Sequence, residues 1–165
     1  MTAMEAVSPR RPHLTLLVLL GMVLTVTLQL VSGLMLALGQ YWVLPWHIVD
    51  GQVTAGFLLA EWAWLLFSPS GRTHFRRIFL LSASYRRNLL EHLRGKGGTP
   101  LREGLNGALE GVFMLAASAA VAFGLALWQG CAACLDWHRA LAVTLAVLWI
   151  AHSLLSACDH WPRKR

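Results

Sequence analysis

The chain has 165 residues, 56% of them hydrophobic and only 13% charged, with eight tryptophans and a formal net charge of +6. A soluble domain carries about twice that share of charge. The composition therefore excludes an ordinary water-soluble enzyme and points to a small membrane protein.

Four apolar stretches reach the roughly 20 residues needed to cross a bilayer: 14–38, 47–67, 106–128 and 137–157. No period-2 alternation occurs in them, so helices rather than barrel strands satisfy their backbone in lipid. The first follows Arg10 and Arg11 like the core of a signal peptide. It is too long for one and lacks a small-x-small site at its end, which predicts a retained anchor. Trp42, Trp46, Trp62, Trp64, Trp128 and Trp137 lie near the ends of the stretches, where an interfacial aromatic belt sits. Between spans two and three lies the one long connection, 68–105, punctuated by Pro69, Gly71, Gly95, Gly97, Gly98 and Pro100. Within it, Phe75 to Leu93 predicts one amphipathic helix lying on the membrane surface. The expected architecture is a single all-α domain, an integral membrane four-helix bundle.

Basic residues orient it. Arg10 and Arg11 precede span one; Arg72, Arg76, Arg77, Arg86, Arg87, Arg94, Lys96 and Arg102 fill the long connection; Arg163, Lys164 and Arg165 end the chain. Only Arg139 falls on the opposite side. The positive-inside rule then makes both termini and the long connection cytoplasmic, in a bacterial inner membrane. This topology accounts for the net positive charge without a nucleic-acid partner.

The histidines divide by depth on this topology. His13 opens span one at the cytoplasmic face, and His152 lies near the cytoplasmic end of span four. His47 opens span two at the opposite face, and His138 opens span four there. His74, His92 and His160 fall in cytoplasmic polar segments and are expected to be solvated. Fourteen residues, close to four helical turns, separate His138 from His152, placing both on one stripe roughly 21 Å apart. Ionisable side chains within a span are costly and mark function. Two pairs result, His47 with His138 and His13 with His152. A b-type haem takes two neutral imidazoles from facing helices, as cofactor sites in bundles generally do, so the pattern implies two stacked, non-covalently held haems. The cytoplasmic arginines would meet lipid headgroups, haem propionates or a partner. Zinc fits less well, because it needs three or four ligands together.

In this order the residues resemble the di-haem cytochrome b family, which includes bacterial cytochrome b561 and the membrane cytochrome b subunits of nickel-iron hydrogenases and formate dehydrogenases. The features are Arg10-Arg11-Pro12-His13 and Ser32-Gly33 in span one, and His47-Ile48-Val49-Asp50-Gly51 opening span two. Trp137-His138-Arg139 and Ala151-His152-Ser153 follow in span four, and the stretch from Leu89 ends in Leu105-Asn106-Gly107. The resemblance spans nearly the whole chain. It departs at span one, where the family often has His-Trp and this chain has His13-Leu14. It implies the same two pairings, a quinone near the inner haem with Asn106 as a polar contact, and a dehydrogenase- or hydrogenase-type redox subunit as partner.

Three other features stay open. Glu61 lies in helical phase with His47 and at the depth of His152, as a proton carrier, an arginine partner or a lipid-edge residue. Cys131 and Cys134 form a Cys-Ala-Ala-Cys loop; Leu135 follows instead of the histidine that c-type haem attachment requires, leaving a disulfide, a redox pair or two plain thiols. Asp136 is a candidate to orient His138 through its second nitrogen. The expected function is transmembrane electron transfer between a redox partner subunit and the quinone pool. The competing reading is a haem-free four-helix scaffold or transporter-like protein with interfacial histidines.

Overall fold

In a computed structural model, residues 13–81, 83–95 and 105–160 are described, excepting the side chains of 13–15, 88, 92, 93, 106 and 155–160. They form helices α1 (His13–Ala37), α2 (Leu44–Phe67), α3 (Pro69–Ile78), α4 (Ala83–Leu93), α5 (Leu105–Trp128) and α6 (Cys134–His160). A 3₁₀ turn, Tyr41–Val43, precedes α2, and no strand occurs among the described residues. Lys96, Arg102 and both chain ends, on which the expected orientation leans, lie outside the described residues.

The chain makes hairpins where its short links lie. Helix α1 packs on α2 and α5 on α6, while α2 meets α5 and α1 meets α6. Three of these helices are long and apolar enough to span a membrane, over Leu16–Ala37, Gly107–Trp128 and Cys134–Leu154. Helix α2 has the length, 24 residues, but carries Asp50, Gln52 and Glu61. Leu20, Leu24, Leu34, Leu59, Val143 and Ile150 project outward, an apolar exterior suited to lipid.

The core is Met22 and Val26 of α1, Leu58 and Leu65 of α2, Ile78 of α3, Met114, Ala116, Ala117 and Ala120 of α5, and Leu145 of α6. Small residues on α5 let helices approach where lipid supplies no hydrophobic drive between them. Hydroxyls in the helices hydrogen-bond back to carbonyls three or four residues earlier, as Thr54 does to Asp50 (2.8 Å) and Ser118 to Met114 (2.7 Å). Ser118 also accepts from Trp62 Nε1 (2.9 Å), joining α5 to α2.

The long connection departs from expectation. Instead of one surface helix over Phe75–Leu93 there are two, broken after Ile78. Leu80 takes a left-handed conformation (φ 52°), and its neighbour Leu81 donates to the Arg76 carbonyl (2.9 Å). This is the bond that closes a helix with a Schellman-type end. Packing explains the break. Phe79 stacks on Trp62 (5.9 Å between ring centres), and Ile78 is 2% exposed, so α3 is fastened to α2 and α5. Its start is fixed too: Ser68 Oγ accepts from the Gly71 N–H (2.8 Å), and Pro69 takes the first helical position, both favourable at an N-terminus.

Candidate functional site

His47 sits in the first turn of α2 and His138 in the second turn of α6, and the structure brings them together. Their ring centres are 6.1 Å apart, with planes at 77°. Each ring is held through Nδ1. His138 Nδ1 lies 2.9 Å from the Ala120 carbonyl oxygen, which can only accept, so Nδ1 carries the proton. His47 Nδ1 lies 2.8 Å from Ser32 Oγ. The Ser32 hydroxyl already donates to the Leu28 carbonyl (2.7 Å), so it accepts from His47. Both imidazoles are thereby held in the tautomer whose Nε2 lone pair is available. A histidine that donates its other N–H to a fixed acceptor has the usual arrangement of a metal ligand.

The room around the rings comes from glycine. A Cβ at Gly124 would stand 3.0 Å from His138 Cε1, and one at Gly33 would stand 3.6 Å from His47 Cε1. Below His47, Gln29 Nε2 donates to the His47 carbonyl (2.6 Å) and to Asp50 Oδ2 (3.0 Å), tying the start of α2 to α1. Asp136 does not orient His138. It is exposed, and the Ala120 carbonyl fills that role. Side chains two residues apart on a helix do not face one another.

Two imidazoles bound through Nε2 to opposite sides of one metal, at metal–nitrogen distances of about 2.0 Å, have ring centres about 6 Å apart. The observed separation and the two locked tautomers are compatible with a pair of imidazoles that would hold one haem between them. Among the described residues no group of three or more His, Cys, Asp or Glu converges as a metal site.

Towards the other end of the helices, His152 lines a cavity of about 200 Å³ with Glu61, His74 and Glu110, walled by Met22, Leu65 and Trp149 among others. Glu61 is 3% exposed, so it faces the interior and is not a lipid-edge residue. His74 is likewise not solvated. Its side chain is 9% exposed and packs against the Trp64 ring. Arg77 donates to His74 Nδ1 (3.0 Å), which leaves the proton on Nε2, and Nε2 donates to Glu110 Oε1 (2.8 Å). Arg77 also lies 3.7 Å from Glu110 Oε2. Sequence reasoning missed Glu110, although it is an acid within a candidate span, a signal that was available.

His13 begins α1 and Asn106 lies in the first turn of α5, but both side chains are outside the described residues. Cys131 and Cys134 are joined as a disulfide in the α5–α6 link. No protein-family model matches the chain, and no curated protein or solved structure shows significant similarity to it.

Proposed function

We propose that the protein is a transmembrane electron carrier of the b-type cytochrome kind: a four-helix membrane bundle with both termini cytoplasmic, exchanging electrons between a redox partner subunit and quinone. The observation that carries this reading is the His47/His138 pair, with ring centres 6.1 Å apart and both Nδ1 protons already engaged. A haem, when bound there, supplies reversible one-electron iron chemistry. Ser32 and the Ala120 carbonyl hold both rings in the tautomer whose Nε2 would be free to bind it. Gln29 fixes the turn that carries His47, and Gly33 and Gly124 keep side-chain bulk away from the imidazoles.

A second haem, nearer the cytoplasmic face, would take His152 and His13. Roughly 21 Å of helix between His138 and His152 would then divide the crossing of a ~30 Å hydrocarbon core into short steps. The cavity beside His152 supports quinone chemistry at that end. Quinone redox chemistry moves protons with electrons, and His74 holds a proton at Nε2 against Glu110, with Glu61 on the same cavity wall. Asn106 is the polar contact suggested by the resemblance.

The test is the reduced-minus-oxidised spectrum and iron content of the protein purified from its native membrane. A sharp b-type α-band with two irons per chain is expected, falling to one in His138→Ala. A protein with neither band nor iron would be the haem-free scaffold or transporter-like alternative.

A further inference from the structure

The α5–α6 link is built more carefully than a connector needs. Its disulfide spans only three positions, from Cys131 to Cys134, with the Cα atoms 5.5 Å apart. That separation lies within the ordinary range for a disulfide, and the backbone sets it independently. Gly130, at φ 98°, donates to the Leu127 carbonyl (2.9 Å), and the Cys131 N–H donates to Ala126 (3.0 Å). The Cys134 N–H donates to the Cys131 carbonyl (2.9 Å), and that of Leu135 to Ala132 (3.2 Å). The thiols of a reduced pair would therefore still face one another. As a staple the bond contributes less than one closing a long loop, because the entropy it removes from the unfolded chain grows with loop length.

We propose that Cys131–Cys134 is a thiol–disulfide exchange site that oxidises a thiol-bearing substrate arriving at the end of the bundle that holds His47 and His138. The proposal does not depend on haem binding. The two sulfurs are unequal. Cys131 is exposed and flanked by Gly130, Ala132 and Ala133, all exposed and small, so a bulky peptide thiol can approach it. Cys134 is half-buried and is the first residue of the 27-residue helix α6. A helix N-terminus stabilises a thiolate, and the better-stabilised thiolate is the faster leaving group.

The chemistry follows. A substrate thiolate attacks Sγ of Cys131; the Cys131–Cys134 bond breaks and a substrate–Cys131 disulfide forms. Cys134 leaves as a thiolate and takes a proton from water. A second, deprotonated substrate thiol attacks the substrate sulfur of that mixed disulfide, and Cys131 leaves and is protonated in turn. The substrate loses two electrons and two protons to become a disulfide, and the cysteine pair gains them.

The experiment uses the full chain in its membrane with Cys158→Ser, so that only the pair reacts. Samples are equilibrated in glutathione buffers of rising reduced-to-oxidised ratio, quenched with acid, alkylated and read by gel shift. The pair should pass from oxidised to reduced across that series and return when oxidised glutathione is restored. Intact mass should show Cys134→Ala carrying one glutathione, about tenfold more than Cys131→Ala, because neither variant has a resolving partner and Cys131 is the exposed sulfur while Cys134 is half-buried. A pair that stays closed in fully reduced glutathione is a structural bond, and one that never closes is two free thiols; either overturns the proposal. Equal glutathionylation of the two single variants overturns the assignment of Cys131 as the attacked sulfur.

Discussion

Ser32→Ala isolates the hydrogen bond that holds His47. The hydroxyl accepts from His47 Nδ1 at 2.8 Å while donating to its own helix at Leu28. Its loss leaves the imidazole N–H, in a half-buried position, without its acceptor and free to rotate or change tautomer. Leaving such a group unsatisfied costs about 1–3 kcal/mol, and removing the outer partner of a metal-binding histidine lowers affinity about 10–100-fold. These agree, since each tenfold is about 1.4 kcal/mol. Helix α1 should be little affected, because alanine is a better helix former than serine. The expected result is a folded protein whose outer haem is bound about 10–100-fold more weakly, with Ser32→Thr restoring part of the affinity. Haem titration of the apo-protein in detergent, followed by the b-type α-band, measures this. Wild-type affinity in Ser32→Ala would refute the idea that Ser32 positions His47.

Other outcomes follow from the same geometry. Gly124→Val should abolish the outer haem, because branching at Cβ enlarges a group already 3.0 Å from His138 Cε1; Gly124→Ala should retain it with a shifted midpoint potential. Spectra and potentiometry read both. With the imidazole planes at 77°, the ferric outer haem should give a highly anisotropic low-spin electron paramagnetic resonance signal, and a rhombic signal would indicate near-parallel rings. Glu110→Gln keeps a hydrogen-bond acceptor for His74 but removes the carboxylate. It should slow quinol-dependent haem reduction about 10-fold or more while leaving dithionite reduction and the spectrum unchanged. Equal slowing by both reductants would place Glu110 outside proton transfer.

Much of the helical layout and the outer pair could be read from hydropathy and helix spacing, because those depend on local composition. The partners of the rings could not. The acceptor for His138 is a main-chain oxygen 18 residues away on another helix, and no side-chain pattern encodes it. His74 looked like one polar residue among arginines; its burial depends on α3 folding back onto α5, and the turn at Leu80 that ends α3 is set by where Phe79 and Ile78 pack. Glu61 could be placed in depth from its spacing to His47. Its direction depended on which face of α2 meets α1 and α5, which is a tertiary property.

The close approach of α5 to α3 limits what position 111 can accept. At Gly111 any side chain would run into the Ile78 carbonyl, and Ile78 lines the same cavity as His74 and His152. One hydrogen atom in place of a methyl thus lets α3 lie against α5 and form part of the cavity's wall. A larger residue at 111 would push α3 away, and the chamber would have to be walled by other side chains.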